Sequence, residues 1–171
     1  MVLRKRLKIT GPAIVFITTT VYEWKHVLTQ RRVADIVVRE LQNIQFLFQL
    51  SVISYVIMPS HIHLLLGFQD IVNLSKCIQG FKSVTSRQVK QLALPELACN
   101  DYKLWKARFD DLIIHTERQL RIKMEYIHSN PVKAGFVENA EDWLYSSAID
   151  WMTTRAGLIK IDKEFQWLEE H

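Results

Sequence analysis

Two β-rich apolar runs, Phe48–Met58 and His61–Phe68, stand on either side of the short turn Pro59-Ser60. Runs of this composition with a brief polar break between them predict an antiparallel hairpin. The neighbouring segments supply partners for it. Ala13–Val21, rich in β-branched residues and bounded by Gly11-Pro12, predicts a buried strand. From Thr29 to about Phe46, Val33, Ile36, Val37, Leu41 and Ile44 recur at helical spacing. Asn73–Leu92 forms a second helical pattern, with Leu74, Ile78, Phe81 and Val89 on one side and Lys76, Lys82, Arg87 and Lys90 around the rest. Leu104–Ile114 alternates as a further strand. A last helix is predicted from Thr116, which with Gln119 fits a capping box, to Asn130. Pro131 sets that end, because proline disfavours helical geometry in the residue before it. The order strand, helix, hairpin, helix, strand, helix describes an α+β sandwich, an antiparallel sheet covered by helices.

The chain has 171 residues, 49% of them hydrophobic, which is the size of one domain with a full core. No repeat, low-complexity tract or Pro/Gly/Ser-rich linker divides it. We therefore expect a single domain over residues 1–171, with 1–11 as a basic arm and about 151–171 as a C-terminal tail. That tail reads as irregular with a short helix. Cys77 and Cys99 have no CxxC or metal-ligand spacing and read as reduced, buried thiols of a cytoplasmic protein. No apolar run approaches the roughly 20 residues of a membrane span, so no membrane partner is expected. The formal charge of +4 and pI of about 9.1 are a mild pointer to an anionic partner.

Three groups of residues could carry chemistry. In a strand, His61 and His63 project from one face while Ile62 points to the other, and two adjacent imidazoles make a platform for a divalent cation. The bland reading of the same triplet is two solvated or hydrogen-bonded histidines on an exposed sheet face. A His-x-His strand also opens the metal site of amidohydrolase barrels, but that fold needs about 250 residues and this chain is too short. Tyr126 and Asn130 stand four apart, on one helical face. A phenol can serve as a covalent nucleophile and an amide oxygen as a third metal ligand. Equally, Tyr126 is a half-buried helix aromatic and Asn130 a terminator before proline. Lys103, Trp105, Lys106 and Arg108 interleave cations with rings, followed by Lys123 and Lys133, a pattern suited to single-stranded nucleic acid. A packed Trp105 on a solvated strand edge fits that pattern as well. Arg4, Lys5 and Arg6 could grip phosphates. His128 reads as structural or surface, and Tyr22 and Tyr55 as core or surface aromatics.

Taken together these motifs resemble a known family. Tyr55-Val-Ile-Met-Pro-Ser-His61-Ile-His63-Leu-Leu-Leu resembles the histidine block of the single-tyrosine HUH transposases, and Tyr126-Ile-His-Ser-Asn130-Pro-Val-Lys133-Ala-Gly135 their nucleophile helix. Leu104-Trp-Lys-Ala-Arg-Phe-Asp-Asp and Trp143-Leu-Tyr-Ser-Ser are similar to blocks of the REP-associated tyrosine transposase branch. The resemblance covers roughly residues 12 to 150; Ser60 departs from it, in a position expected to affect the turn rather than the chemistry. It implies a ferredoxin-like or RRM-like sheet, the HUH endonuclease fold. It implies that Tyr126 attacks a DNA phosphate to give a 5′-phosphotyrosine link, with His61, His63 and Asn130 binding Mg²⁺ or Mn²⁺, or Ni²⁺ or Zn²⁺ as purified. The implied partner is single-stranded DNA beside hairpins of repeated palindromes, met by a monomer or homodimer at a prokaryotic nucleoid. A DNA-hairpin-binding protein without cleavage and a metal-dependent hydrolase of a small substrate are the alternatives. No general base for Tyr126 is identified.

Overall fold

The computed structural model describes residues 9–98 and 102–165. The basic arm with Arg4, Lys5 and Arg6, and Cys99, lie outside those residues. Four strands, β1 (Ala13–Thr20), β2 (Ser51–Met58), β3 (His61–Phe68) and β4 (Asp110–Ile114), make one antiparallel sheet in the order β2-β3-β1-β4. Helices α1 (Arg31–Leu47) and α2 (Leu74–Lys90) are the crossovers, and α3 (Glu117–Lys133) and α4 (Ala148–Met152) follow the last strand. This is the ferredoxin-like arrangement, and the predicted hairpin closes at Pro59-Ser60 with Met58 opposite His61.

The period-two alternation of β1 and β3 sends side chains to two different places. Val15, Ile17, Ile62, Leu64, Leu66 and Phe68 go to one face, where α1 and α2 bury them with Val33, Val37, Leu41, Ile78 and Phe81. Ile14, Phe16, Leu65 and Ile114 go to the other, under Ile127 of α3. On β2 a bulge lies between Val52 and Ser54. One extra residue shifts the alternation, so Ser54, Val56 and Met58 join the α3 face although Val52 sits in the other core.

Two predicted boundaries move. The strand expected over Leu104–Ile114 is only Asp110–Ile114. Leu104 and Trp105 turn inward and are buried, with Trp105 in a single bridge to Val21. Beyond them, the Lys82 ammonium donates to the carbonyls of Lys106, Ala107 and Arg108, which holds this stretch as a loop. Burial pushes the Lys82 pKa down.

The second correction concerns α3, which does not stop at Asn130 but runs through Pro131 to Lys133. Proline in a helix forfeits the bond to the carbonyl four residues back and crowds it, at a cost of about 3 kcal/mol mid-helix. Here Pro131 is buried and lies in the final turn, which closes on its own bonds. Phe136 N–H donates to the Pro131 carbonyl at 3.0 Å and Gly135 N–H to the Val132 carbonyl at 2.9 Å. That pair is the Schellman closure, and Gly135, at φ 76°, occupies the left-handed position it demands. Glycine, not proline, ends the helix. At the other end Thr116 Oγ1 accepts from Gln119 N–H at 3.1 Å, while the Gln119 side chain accepts from His115 N–H instead of Thr116. The box therefore closes one residue early.

The tail seals the outer edge of β2. Ile57 N–H donates to the Tyr145 carbonyl, Ser147 N–H to the Tyr55 carbonyl and Asp162 N–H to the Val52 carbonyl. The indole N–H groups of Trp143 and Trp151 bond to the carbonyls of Ile57 and Ile53. Beyond the short helix α4, Ile159 is buried in the α1 side of the core and Phe165 packs over Gly67, where a Cβ would overlap its ring. An exposed edge strand templates pairing with other chains, and this edge is covered. No helix of the described residues is long and apolar enough to cross a membrane.

Candidate active site

His61 and His63 leave β3 on the α3 face, with ring centroids 4.8 Å apart. The cross-strand register puts Thr20 opposite His61 and Thr18 opposite His63. Thr18 Oγ1 lies 2.8 Å from His63 Nδ1, and Ser60 Oγ lies 3.3 Å from His61 Nδ1. A hydroxyl thus engages the Nδ1 side of each ring. In the tautomer that donates Nδ1–H to Thr18, His63 keeps its lone pair on Nε2, the arrangement seen when a second group orients a ligating imidazole. That Nε2 is buried and has no hydrogen-bond partner. Ser60, expected to influence only the turn, therefore also touches a candidate ligand.

Burial holds the His63 pKa down to about 3, helped by the neighbouring His61 and Lys123. Burial also lowers that of His61. Both rings are neutral near pH 7, the state that binds metal. An orphaned Nε2 next to a second neutral imidazole fits a divalent first-row cation. No group of three His, Cys, Asp or Glu side chains that could hold a metal occurs among the described residues.

Helix α3 lays Tyr126 against His63. The phenol ring meets His63 edge-on at 5.1 Å and Phe16 edge-on at 6.0 Å, and the residue stays 41% exposed. Lys123, one turn earlier, places its ammonium 4.5 Å from the Phe16 ring and 5.5 Å from the Tyr126 ring. Asn130, one turn later, donates its amide N–H to the Tyr126 carbonyl at 2.8 Å, which leaves Oδ1 as its remaining acceptor. In this geometry the Asn130 amide is bonded to its own helix and not to the histidine pair. The structure brings His61, His63, Tyr126 and Lys123 into one place.

His128 holds α3 at that angle. It is buried, its Nε2 lies 3.0 Å from Ser54 Oγ and 2.9 Å from Ser147 Oγ, and the two hydroxyls are 3.1 Å apart. Ser147 Oγ also accepts from Tyr55 N–H. Burial lowers the His128 pKa to about 4, so it is a neutral hydrogen-bonding post. Ser54 reaches it only because of the bulge in β2. Sequence reasoning missed Thr18, Ser54 and Ser147. The Thr18-Thr19-Thr20 run carried a usable signal, since alternation in β1 puts Thr18 and Thr20 on one face; the serines carried none.

The remaining candidates for DNA contact divide. Trp105 is a correction: it is 5% exposed, tilted against Phe81, with its indole N–H bonded to Thr85. A ring enclosed in the α2 core is not available to a base. Arg108 and Lys133 are exposed to solvent. Lys103 and Lys106 lie instead over exposed rings of the β1–α1 loop, Tyr22 at 5.4 Å and Trp24 at 4.2 Å.

The ferredoxin-like sheet thus carries two histidines on a central strand, beside a tyrosine borne on α3. The family model described as "Transposase IS200 like" matches residues 13–130, and the chain belongs to that family. Two relatives named as REP-associated tyrosine transposases are similar to it: one from Haemophilus influenzae, 30% identical over 105 residues, and one from Escherichia coli K12, 30% identical over 94 residues. The matches cover 58% and 55% of this chain and only 60% and 52% of those relatives. A solved structure of a REP-associated tyrosine transposase bound to a REP hairpin has the same fold, at TM-score 0.70 and 19% identity over 100% of this chain and 98% of that one.

Proposed function

We propose that this chain is a metal-dependent endonuclease and strand transferase for single-stranded DNA, acting next to hairpins of repeated palindromes. The observation that carries the reading is the Tyr126 phenol set edge-on against His63, whose Nε2 is buried and unpartnered. The membership of an IS200-like transposase family and the hairpin-bound structural neighbour support the substrate class.

His61, His63 and the Oδ1 of Asn130 would hold Mg²⁺ or Mn²⁺, which when bound polarises the scissile phosphate and neutralises charge on it. The chain's own residues do the rest. Tyr126 supplies the oxygen nucleophile. Its Oη forms a bond to phosphorus, the P–O3′ bond breaks, and the 3′ oxygen leaves with a proton. The product is a 5′-phosphotyrosine link and a free 3′-OH. Rejoining reverses the exchange with another 3′-OH as nucleophile, so no nucleotide cofactor is consumed. Lys123 places positive charge beside the phenol, where it meets the incoming phosphate. The Ser54–His128–Ser147 cluster fixes the rotation of α3 and hence the phenol's position.

The test is incubation with labelled single-stranded oligonucleotides that carry palindromic repeats, plus Mn²⁺, followed by denaturing electrophoresis. A covalent protein–DNA adduct that disappears in Tyr126→Phe is the expected result. Hairpin binding without any adduct would favour a binding module, and cleavage that survives Tyr126→Phe would refute the nucleophile.

A further inference from the structure

The loop from β1 to α1 carries two exposed aromatic rings beside the histidine pair. Trp24 is 55% exposed and Tyr22 36%. Trp24 lies edge-on to His61 at 6.1 Å, so its ring borders the candidate site. Each ring has an ammonium over it, Lys106 on Trp24 and Lys103 on Tyr22. The backbone that presents them is unusual. Glu23 and Trp24 are consecutive non-glycine residues at φ 57°, in the left-handed region that side chains normally avoid. Such conformations persist only where the surroundings enforce them, and they gather at functional sites.

The surroundings here are specific. Val21 N–H donates to the Ser60 carbonyl, Tyr22 N–H to the Leu104 carbonyl and Lys106 N–H to the Thr20 carbonyl, each at 2.8 Å. Both loops are therefore fastened to the same end of the sheet as His61. A large indole held outward on a strained but pinned backbone has no packing reason to be there. Cations beside exposed rings bind single strands, because charge meets phosphates and every base has a stackable face.

We propose that Trp24, with Tyr22 beside it, is the stacking platform for unpaired bases of the DNA strand next to the phosphate that is cut, and that Lys106 serves the adjoining phosphates. The proposal rests on the nuclease reading for its position relative to the cut, but base stacking on this loop can be read without cleavage. The stacking role expected of Trp105 thus falls to Trp24 and Tyr22, which the sequence did not single out for it.

The test compares two ligands by fluorescence anisotropy without metal: an oligodeoxythymidylate of about ten nucleotides, within the usual span of such grooves, and an abasic strand of the same length. Both carry the same phosphates; only one carries bases. The intact chain is expected to bind the thymidylate more tightly. Trp24→Ala should remove about fivefold to 150-fold of that preference, the equivalent of stacking one base, while the abasic strand binds as before. Trp24→Phe should keep most of the preference, and Tyr22→Ala should remove a smaller share. Lys106→Ala should weaken both ligands alike. No preference in the intact chain, or an undiminished one in a folded Trp24→Ala variant, would overturn the platform. A base preference that depends on Trp24 in a chain that forms no adduct would leave the platform standing and remove the nuclease reading.

Discussion

The two faces of the sheet share the same strands and differ in almost everything else. Toward α1 and α2, the residues Val15, Ile17, Ile62, Leu64 and Leu66 are fully enclosed by apolar side chains. Toward α3, the alternate residues of β1 and β3 are Phe16, Thr18, His61 and His63, with Tyr126 only partly covering them. Strand β3 is at once a core strand and a site strand, one residue out of phase. The first face supplies stability by burying area; the second spends some of that stability, since it contains an unpartnered His63 Nε2 where a core would carry a methyl group. A rigid face behind the histidines is what lets the open face hold a fixed geometry.

Substitutions one residue apart on β3 should separate the two faces. His63→Ala is expected to abolish metal-dependent cleavage, a loss of at least about a hundredfold, with the melting temperature little changed. Leu64→Ala, on the sealed face, should instead cost about 2–5 kcal/mol of stability, read by denaturant unfolding, while the folded fraction keeps its metal affinity. Equal destabilisation by both variants would mean that His63 is a core residue. A smaller effect is expected at Thr18→Val, which removes the group that orients His63. Metal affinity by calorimetry should fall about tenfold to a hundredfold with the fold intact. An unchanged affinity would show that the Thr18 hydroxyl does not set the imidazole.

The same contrast explains what was legible in the sequence. The sealed face is written in local pattern: the β-rich runs of the hairpin and the helical period in α1 and α2 identified the elements, and the short turn paired β2 with β3. His61 and His63 were legible for the same reason, because strand alternation alone sends both to one face. What failed depended on contacts distant in the chain. The bulge at Ser54 has no local marker, and without it the triad of Ser54, His128 and Ser147 cannot be foreseen. Pro131 looked like a terminator because its cost is local, whereas the closure that ends α3 at Gly135 needed bonds beyond it. Trp105 and Trp24 are both tryptophans near lysines. Only the pairing of Trp105 with Val21 and its bond to Thr85 reveals that the first is enclosed and the second is not. The tail, which reads as irregular, owes its order to the edge of β2 that it covers.

Peptide mapping of the covalent product shows whether the open face uses Tyr126 as its nucleophile. The chain would be reacted with a single-stranded palindromic oligonucleotide and Mn²⁺, digested with trypsin and nuclease, and sequenced by mass spectrometry. A nucleotide linked through its 5′ phosphate to Tyr126, in the peptide that follows Lys123, is the expected product. The same mass on Tyr22, on any other tyrosine or on a serine would contradict it.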